Sequence, residues 1–406
     1  MLRELTPRVL PRLAAWARRT VEALPANEAN APGFRDLYPN AGQFAQWLDL
    51  YPSKHASAHG PFVWTNPRSN VSERIQAYLA LGRMLNDPGY HRLAIRYADA
   101  MAGDPVRGIY QGEEEDGRGL VWYWNDSGVY STIYAMRAPS AFLALAEATR
   151  RQKYRDIALL CGQQLLRSIQ PTGILREGWV PCSSPVYEKF ARELARNKIN
   201  SRIGYVTLAF VELYRATGDE AYRQGLARFL KALEQYQNAD GSFPTSFRTD
   251  RIEPVGPPKG HFLYYTIDGI AKAACLMPEE PALRRIAERL GRHLVQQYRR
   301  TWSLLYGNVD ADSPPEASEW RVASAQPAYG LIWLTKLTGD SAYREVACRL
   351  LLEAMLSTFD CPDNPDLHGA IPNWLRPDLD PLPSIGGIQH FWTILAVEAL
   401  DTVVTA

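Results

Sequence analysis

The sequence lacks most of the features that place a chain quickly. Its five cysteines are scattered through 406 residues without a Cys-x-x-Cys pair, so neither a disulfide framework nor a zinc ribbon is expected. No apolar run approaches the roughly 20 residues that span a bilayer. The formal net charge is +1, from 45 Lys+Arg against 44 Asp+Glu, which leaves no global field to attract nucleic acid or an anionic membrane. A phosphate-cradling glycine loop, a Gly-x-Ser-x-Gly elbow and a dinucleotide fingerprint are all missing. So are the Asp-rich clusters that terpenoid cyclisation needs. Arg3, Glu4, Arg8 and Arg12 break any secretory apolar stretch, so residues 5–24 read as an amphipathic helix and a cytoplasmic setting is expected. Neither a metal nor an organic cofactor is expected.

What is present is a globular composition, with 46% hydrophobic and 22% charged residues, and an internal repeat. Gly218-Asp-Glu-Ala-Tyr-Arg and Gly339-Asp-Ser-Ala-Tyr-Arg match closely, Asp87-Pro-Gly-Tyr-His-Arg and Arg151-Gln-Lys-Tyr-Arg resemble them, and Glu280-Pro-Ala-Leu-Arg-Arg is a looser relative. Each lies in a short turn between two helix-like stretches. The first helices fall at about 71–86, 129–149, 201–216, 261–277 and 323–337, and several are apolar nearly all round, as a helix enclosed by protein must be. The second helices carry charge on one face and read as outer. Residues 5–24 then read as an outer helix without a partner, and Ile388–Val404 as an inner helix without one. Pairing them closes a ring. The expectation is an all-α chain, an (α/α)6 toroid of six helical hairpins, folding as a single domain over 1–406.

Connections within hairpins are short, whereas those between hairpins are long, near 25–70, 104–128, 171–200, 238–260, 300–322 and 359–386. Long connections in a compact domain are usually functional. All of them emerge where the inner helices begin, an end whose helix N-termini favour negative charge.

On the repeats Thr217-Gly-Asp-Glu-Ala-Tyr-Arg223 and Thr338-Gly-Asp-Ser-Ala-Tyr-Arg344, with Asn238-Ala-Asp-Gly-Ser-Phe243 after an outer helix, the chain resembles the six-hairpin glycosidase-like superfamily of carbohydrate-active toroids. The resemblance is architectural. It implies a site at the mouth where inner helices start and an oligosaccharide or polysaccharide substrate. Related toroids include hydrolases, polysaccharide lyases, sugar epimerases and terpenoid cyclases, so the reaction is not implied.

Candidate site residues follow from chemistry. Glycoside hydrolysis needs two carboxylates across a sugar, and Asp126 and Glu319 are the expected pair, each beside tryptophan and shortly before an inner helix. Trp122, Trp124, Trp179, Trp320 and Trp374 offer faces for sugar rings. Asp126 also reads as a helix N-cap. The alternative reaction, β-elimination or epimerisation, would use His261, His390 and Tyr264 for proton transfer, with Arg202 or Arg321 neutralising a uronate. His368 is a further loop candidate. A third reading is a non-enzymatic ring that binds a glycan or an isoprenoid. Two metal-like spacings are set aside. His55-x3-His59 is bracketed by proline and glycine, and Asn308 to Glu319 matches a calcium loop but has Ser313 where glycine is required.

Overall fold

A computed structural model of the chain describes residues 1–22, 49–51, 63–64, 71–102, 110–113, 119–122, 129–130, 132–176, 178–179, 198–302, 304, 324–360, 362–363, 368–371 and 385–404. Among the described residues, twelve helices of three turns or more form six hairpins. The inner helices are α2 (Val71–Met84), α4 (Ala138–Thr149), α6 (Gly204–Thr217), α8 (Gly260–Leu276), α10 (Ala325–Thr338) and α12 (Gly387–Val404). The outer helices are α1 (Leu2–Glu22), α3 (Pro88–Ala102), α5 (Gln152–Ser168), α7 (Glu220–Tyr236), α9 (Pro281–Thr301) and α11 (Ser341–Leu356). Each inner helix packs on the next, and α12 packs back on α2, so the ring is closed. The fold is the (α/α)6 toroid.

The repeated turn explains why the hairpins form. Gly218 and Gly339 end α6 and α10 in the left-handed conformation, at φ 71° and 72°, which glycine adopts without a Cβ penalty. The next residue caps the following helix. Asp219 Oδ1 accepts from Ala221 N at 2.9 Å, and Asp340 Oδ1 from Ala342 N at 2.8 Å. The preceding threonines accept from the aspartate amides, Thr217 from Asp219 and Thr338 from Asp340, both at 3.1 Å. Three residues thus stop one helix and start another. The repeated tyrosine is buried: Tyr154, Tyr222 and Tyr343 are 0%, 4% and 3% exposed.

Ring closure falls on the two chain ends. His390 of α12 lies 2.8 Å from the Leu13 carbonyl of α1 through Nε2 and packs against Trp16 with ring centroids 4.2 Å apart and planes tilted by 47°. Tyr78 of α2 donates to the Ala17 carbonyl at 3.0 Å. Elsewhere inner helices meet backbone to backbone. A Cβ at Gly269 of α8 would collide with the Gly204 carbonyl of α6, so glycine is required at this crossing.

Connectors over 23–70, 103–137, 169–203, 237–259, 302–324 and 357–386 each join an outer helix to the next inner one. The helix ends they join lie on one rim, and the described parts of the connectors include short strands that tie neighbours together there. β1 (Asp49–Tyr51) pairs with β2 (Val63–Trp64) and with β10 (Ile385–Gly386), and β3 (Tyr110–Glu113) with β4 (Gly119–Trp122). β5 (Val129–Tyr130) pairs with β6 (Gly178–Trp179), and β8 (Ser246–Arg248) with β7 (Lys198–Asn200) and β9 (Pro254–Val255), all antiparallel. One expected boundary moves. The inner helix expected from 129 begins as strand β5, passes through one turn at Thr132–Ala135 and becomes α4 only at Ala138. Pro139 in the first turn of α4 is the reason, since proline suits a helix start and not a helix interior.

Candidate active site at the rim of the ring

The inner helices are apolar enough that buried charges in their rim halves stand out; besides Arg74 of α2, which lies over the Tyr97 and Phe391 rings, there are three. Glu73 lies in the first turn of α2, Arg137 immediately precedes α4, and Asp268 lies midway along α8; they are 0%, 2% and 0% exposed. Arg137 Nη1 forms a buried ion pair with Glu73 Oε1. The same guanidinium sits over Tyr205 of α6 at 4.9 Å and Tyr265 of α8 at 4.6 Å from the ring centroids. Gln326 of α10 donates to Asp268 Oδ2 at 2.6 Å, and Oδ1 has no hydrogen-bond partner. Four inner helices besides α2 therefore contribute to one layer, and α12 joins it through Trp392, whose ring lies 6.2 Å from Tyr205 and 5.3 Å from Tyr329.

Burial sets the protonation of this layer. Desolvation raises the Asp268 pKa to about 7, against the attraction of Arg137 and the Gln326 hydrogen bond, and Glu73 adds to the rise. Glu73 is likewise pushed up by desolvation, with Arg137 opposing. Arg137 keeps its proton, because Glu73, Tyr265, Tyr205 and Asp268 all favour the cation. One carboxyl that exchanges a proton near neutrality thus lies in the same layer as another held by a permanent cation. Burial shifts both carboxyls upward, and Glu73 is the one paired directly with a permanent cation.

None of these three was expected from the sequence. The signal was nevertheless there: a single charge inside an all-round apolar stretch, such as Tyr264-Tyr-Thr-Ile-Asp268-Gly-Ile or Tyr134-Ala-Met-Arg137-Ala-Pro, is a buried charge and must be paired or protonated.

The expected residues divide into groups. Asp126, Trp124, Glu319, Trp320, Arg321 and Trp374 lie outside the described residues, as do His55, His59 and Asn308. Trp122 and Trp179 lie on rim strands, Trp122 opposite Tyr110 and Trp179 opposite Val129. Arg202 and His261 come together around the start of α8. The Arg202 guanidinium lies 4.5 Å from the Phe262 ring centroid and 5.0 Å from that of Tyr265, and the His261 ring lies 4.3 Å from Phe262. Tyr264 is fully buried, and its phenol is held well above its usual pKa by desolvation and by Glu353 of the outer helix α11. That placement does not suit proton abstraction.

His390 does not join the site. Its ring is sealed between α12 and α1, and desolvation lowers its pKa to about 3 despite the hydrogen bond to Leu13. It closes the ring as a neutral imidazole, which removes it from the expected proton-transfer pair. His368 sits on the last connector 3.7 Å from Asp360, which pairs with Arg12 of the outer helix α1 at 2.5 Å. Among the described residues no group of three His, Cys, Asp or Glu is placed to hold a metal ion, and no helix is long and apolar enough to cross a membrane.

No protein-family profile matches the chain, and no curated protein matches it in sequence. Solved structures do match. An unsaturated glucuronyl hydrolase from Bacillus sp. GL1, responsible for the degradation of glycosaminoglycan, superposes with a TM-score of 0.64 at 15% identity, over 96% of this chain and 94% of that one. An unsaturated glucuronyl hydrolase specific for heparin gives 0.69 at 9% identity, over 99% and 98%. Cellobiose 2-epimerase from Bacillus thermoamylovorans B4167 gives 0.61 at 13% identity, over 83% and 88%. The likeness is one of fold. Toroids with these names perform different reactions, so the similarity supplies an architecture and leaves the chemistry to the side chains.

Proposed function

We propose that this chain is a carbohydrate-active enzyme, a glycoside hydrolase acting at the rim where the inner helices begin. The observation that carries the reading is Asp268, a buried carboxyl poised near neutrality in one layer with the Glu73–Arg137 pair. A general acid for glycosidic cleavage needs a raised pKa, and its partner carboxylate must stay ionised. Asp126 and Glu319, which fall between helices in the sequence, remain the proposed pair that meets the sugar. Asp268 is proposed to pass its proton towards them or to serve as the acid itself. The fold-mates named as glucuronyl hydrolases make an acidic oligosaccharide the first substrate to try.

The test is a screen of oligosaccharides and uronate polymers, with products read both as reducing ends and as near-ultraviolet absorbance. Hydrolysis gives new reducing ends alone. Asp268→Asn, Asp126→Asn and Glu319→Gln should each be assayed, and loss of about 10²–10⁴ in kcat is expected where a proton-transfer group is removed. Activity that survives all three substitutions removes these residues from the reaction, and the absence of new reducing ends on every substrate removes the hydrolase reading.

The second reading, a lyase or epimerase, is favoured by one observation. His261 and Arg202 share the start of α8, a histidine for proton transfer beside a cation for a carboxylate. An absorbing unsaturated product abolished by His261→Ala would select it.

A further inference from the structure

The opposite half of the ring is hollow. Towards the short turns the inner helices leave a cavity of about 770 Å3 to which all six contribute, within the range of small-molecule sites. It begins about one helical turn below the rim layer, with Gln76 roughly 4.5 Å along α2 from Glu73, and reaches to Arg83, roughly 15 Å away at 1.5 Å per residue. Tyr329 lines the cavity and packs on Trp392, which packs on Tyr205 of the rim layer.

The wall is built for a polar occupant. Glu212 accepts from Ser140 and, at 3.0 Å, from Lys272. Gln76 lines the same space nine-tenths buried, and its Nε2 has no hydrogen-bond partner. Such a donor costs stability unless something binds it. The Tyr329 and Trp333 rings, 6.2 Å apart and edge to face, supply apolar surface.

The charge points to an acidic occupant. Six arginine and lysine side chains line the cavity against three glutamates. Outer helices begin where inner helices end, so their dipoles oppose each other and side chains decide the sign. Arg83 is paired with Glu398 at 2.6 Å and Lys272 with Glu212. On the α4–α6 side, Arg155 and Arg215 hold backbone carbonyls of Ala216 and Leu276, each at 2.7 Å, and keep further guanidinium nitrogens. Arg150 stands beside them at φ 58°, where the corresponding turns of α6 and α10 use Gly218 and Gly339. A long cation thus occupies a position whose backbone favours glycine.

We propose that this cavity is a second binding site, independent of the rim reaction, for a small acidic sugar. Its hydroxyls would meet Gln76, Ser140 and Glu212, its ring the aromatic pair, and its acid group the arginine edge. The test is calorimetric titration of the full chain with glucuronate, glucose 6-phosphate, glucose and inorganic phosphate. At least one acidic sugar should bind saturably, about tenfold tighter than glucose and than phosphate alone. Comparing glucuronate with glucose 6-phosphate tells which acid group the arginines prefer. Arg150→Asn combined with Arg215→Gln should weaken that binding about tenfold, and Gln76→Leu should weaken it separately. Arg202→Ala at the rim should leave it unchanged. Glucose binding as tightly as both acidic sugars, no saturable binding by either, or binding lost with Arg202→Ala and kept in the cavity variants would overturn the proposal. None of these outcomes depends on whether the rim hydrolyses a glycoside.

Discussion

The two halves of the inner helices treat charge in opposite ways. In the rim half Glu73, Arg137 and Asp268 are sealed, at 0–2% exposure. In the turn half Glu212 and Lys272 keep 15% and 18%, and Arg83 and Glu398 keep 56% and 18%. The same six helices therefore hold one set of charges in a medium where solvation is lost and another where water still competes. Desolvation is what moves a pKa and makes a hydrogen bond strong. Residual exposure is what lets a group exchange partners with a ligand. The chemistry proposed for the rim layer rests on the first property, and the binding proposed for the turn-end cavity on the second.

The most forceful way to break this contrast is to remove one partner from an ion pair in each half. Arg137→Ala would leave Glu73 buried without its cation, at a cost of about 3–5 kcal/mol. Arg83→Ala removes an ion pair of the partly exposed kind, worth about 1 kcal/mol or less. Urea denaturation of the two variants measures both. Equal losses would mean that the halves do not differ in solvation as described.

How much of this was readable beforehand follows the same division. Hairpins, ring closure and connector rim were legible because they are written locally. Gly218-Asp219 and Gly339-Asp340 stop and start helices by their own backbone and side-chain chemistry, and all-round apolar stretches identify the inner helices. The helix expected from residue 129 starts later because Pro139 sets the start of α4. The rim layer is not legible in this way, because loops rich in tryptophan and acid point to Asp126 and Glu319 instead. Arg137, Glu73 and Asp268 are far apart in sequence and become one layer only when the ring closes. His390 looked like a catalytic base by its place near an inner-helix start. That Leu13, 377 positions away, lies against its ring nitrogen is a tertiary fact.

A smaller effect sharpens the electrostatic half of the comparison. Asp268 has a folded pKa of about 7, raised above an unfolded value of 3.8. The folded state therefore prefers the protonated form. Whatever stability this contributes is fully present below the unfolded pKa and is lost as pH rises through about 7. Asn at this position cannot ionise and still accepts a hydrogen bond from Gln326. Asp268→Asn should gain steadily on the parent as pH rises from 4 to 8, by a few kcal/mol at the upper end. The measurement is chemical denaturation of both proteins across that range. A difference that does not change with pH would place Asp268 in a wetter setting than its burial indicates.

The smallest effect tests the turns that hold both halves in register. Asp219 and Asp340 each cap an outer helix through one backbone amide, and losing such a cap costs about 1 kcal/mol. Asp219→Ala and Asp340→Ala should each lower stability by that amount. They lie in separate hairpins and share no partner, so the double variant should lose their sum to within about 0.5 kcal/mol. Coupling larger than this would mean that the ring does not average over its hairpins. A strained turn in one hairpin would then be felt in another through the backbone crossing of α6 and α8 at Gly204 and Gly269. In that case the rim layer and the turn-end cavity would move together, and a ligand in the cavity should alter turnover at the rim.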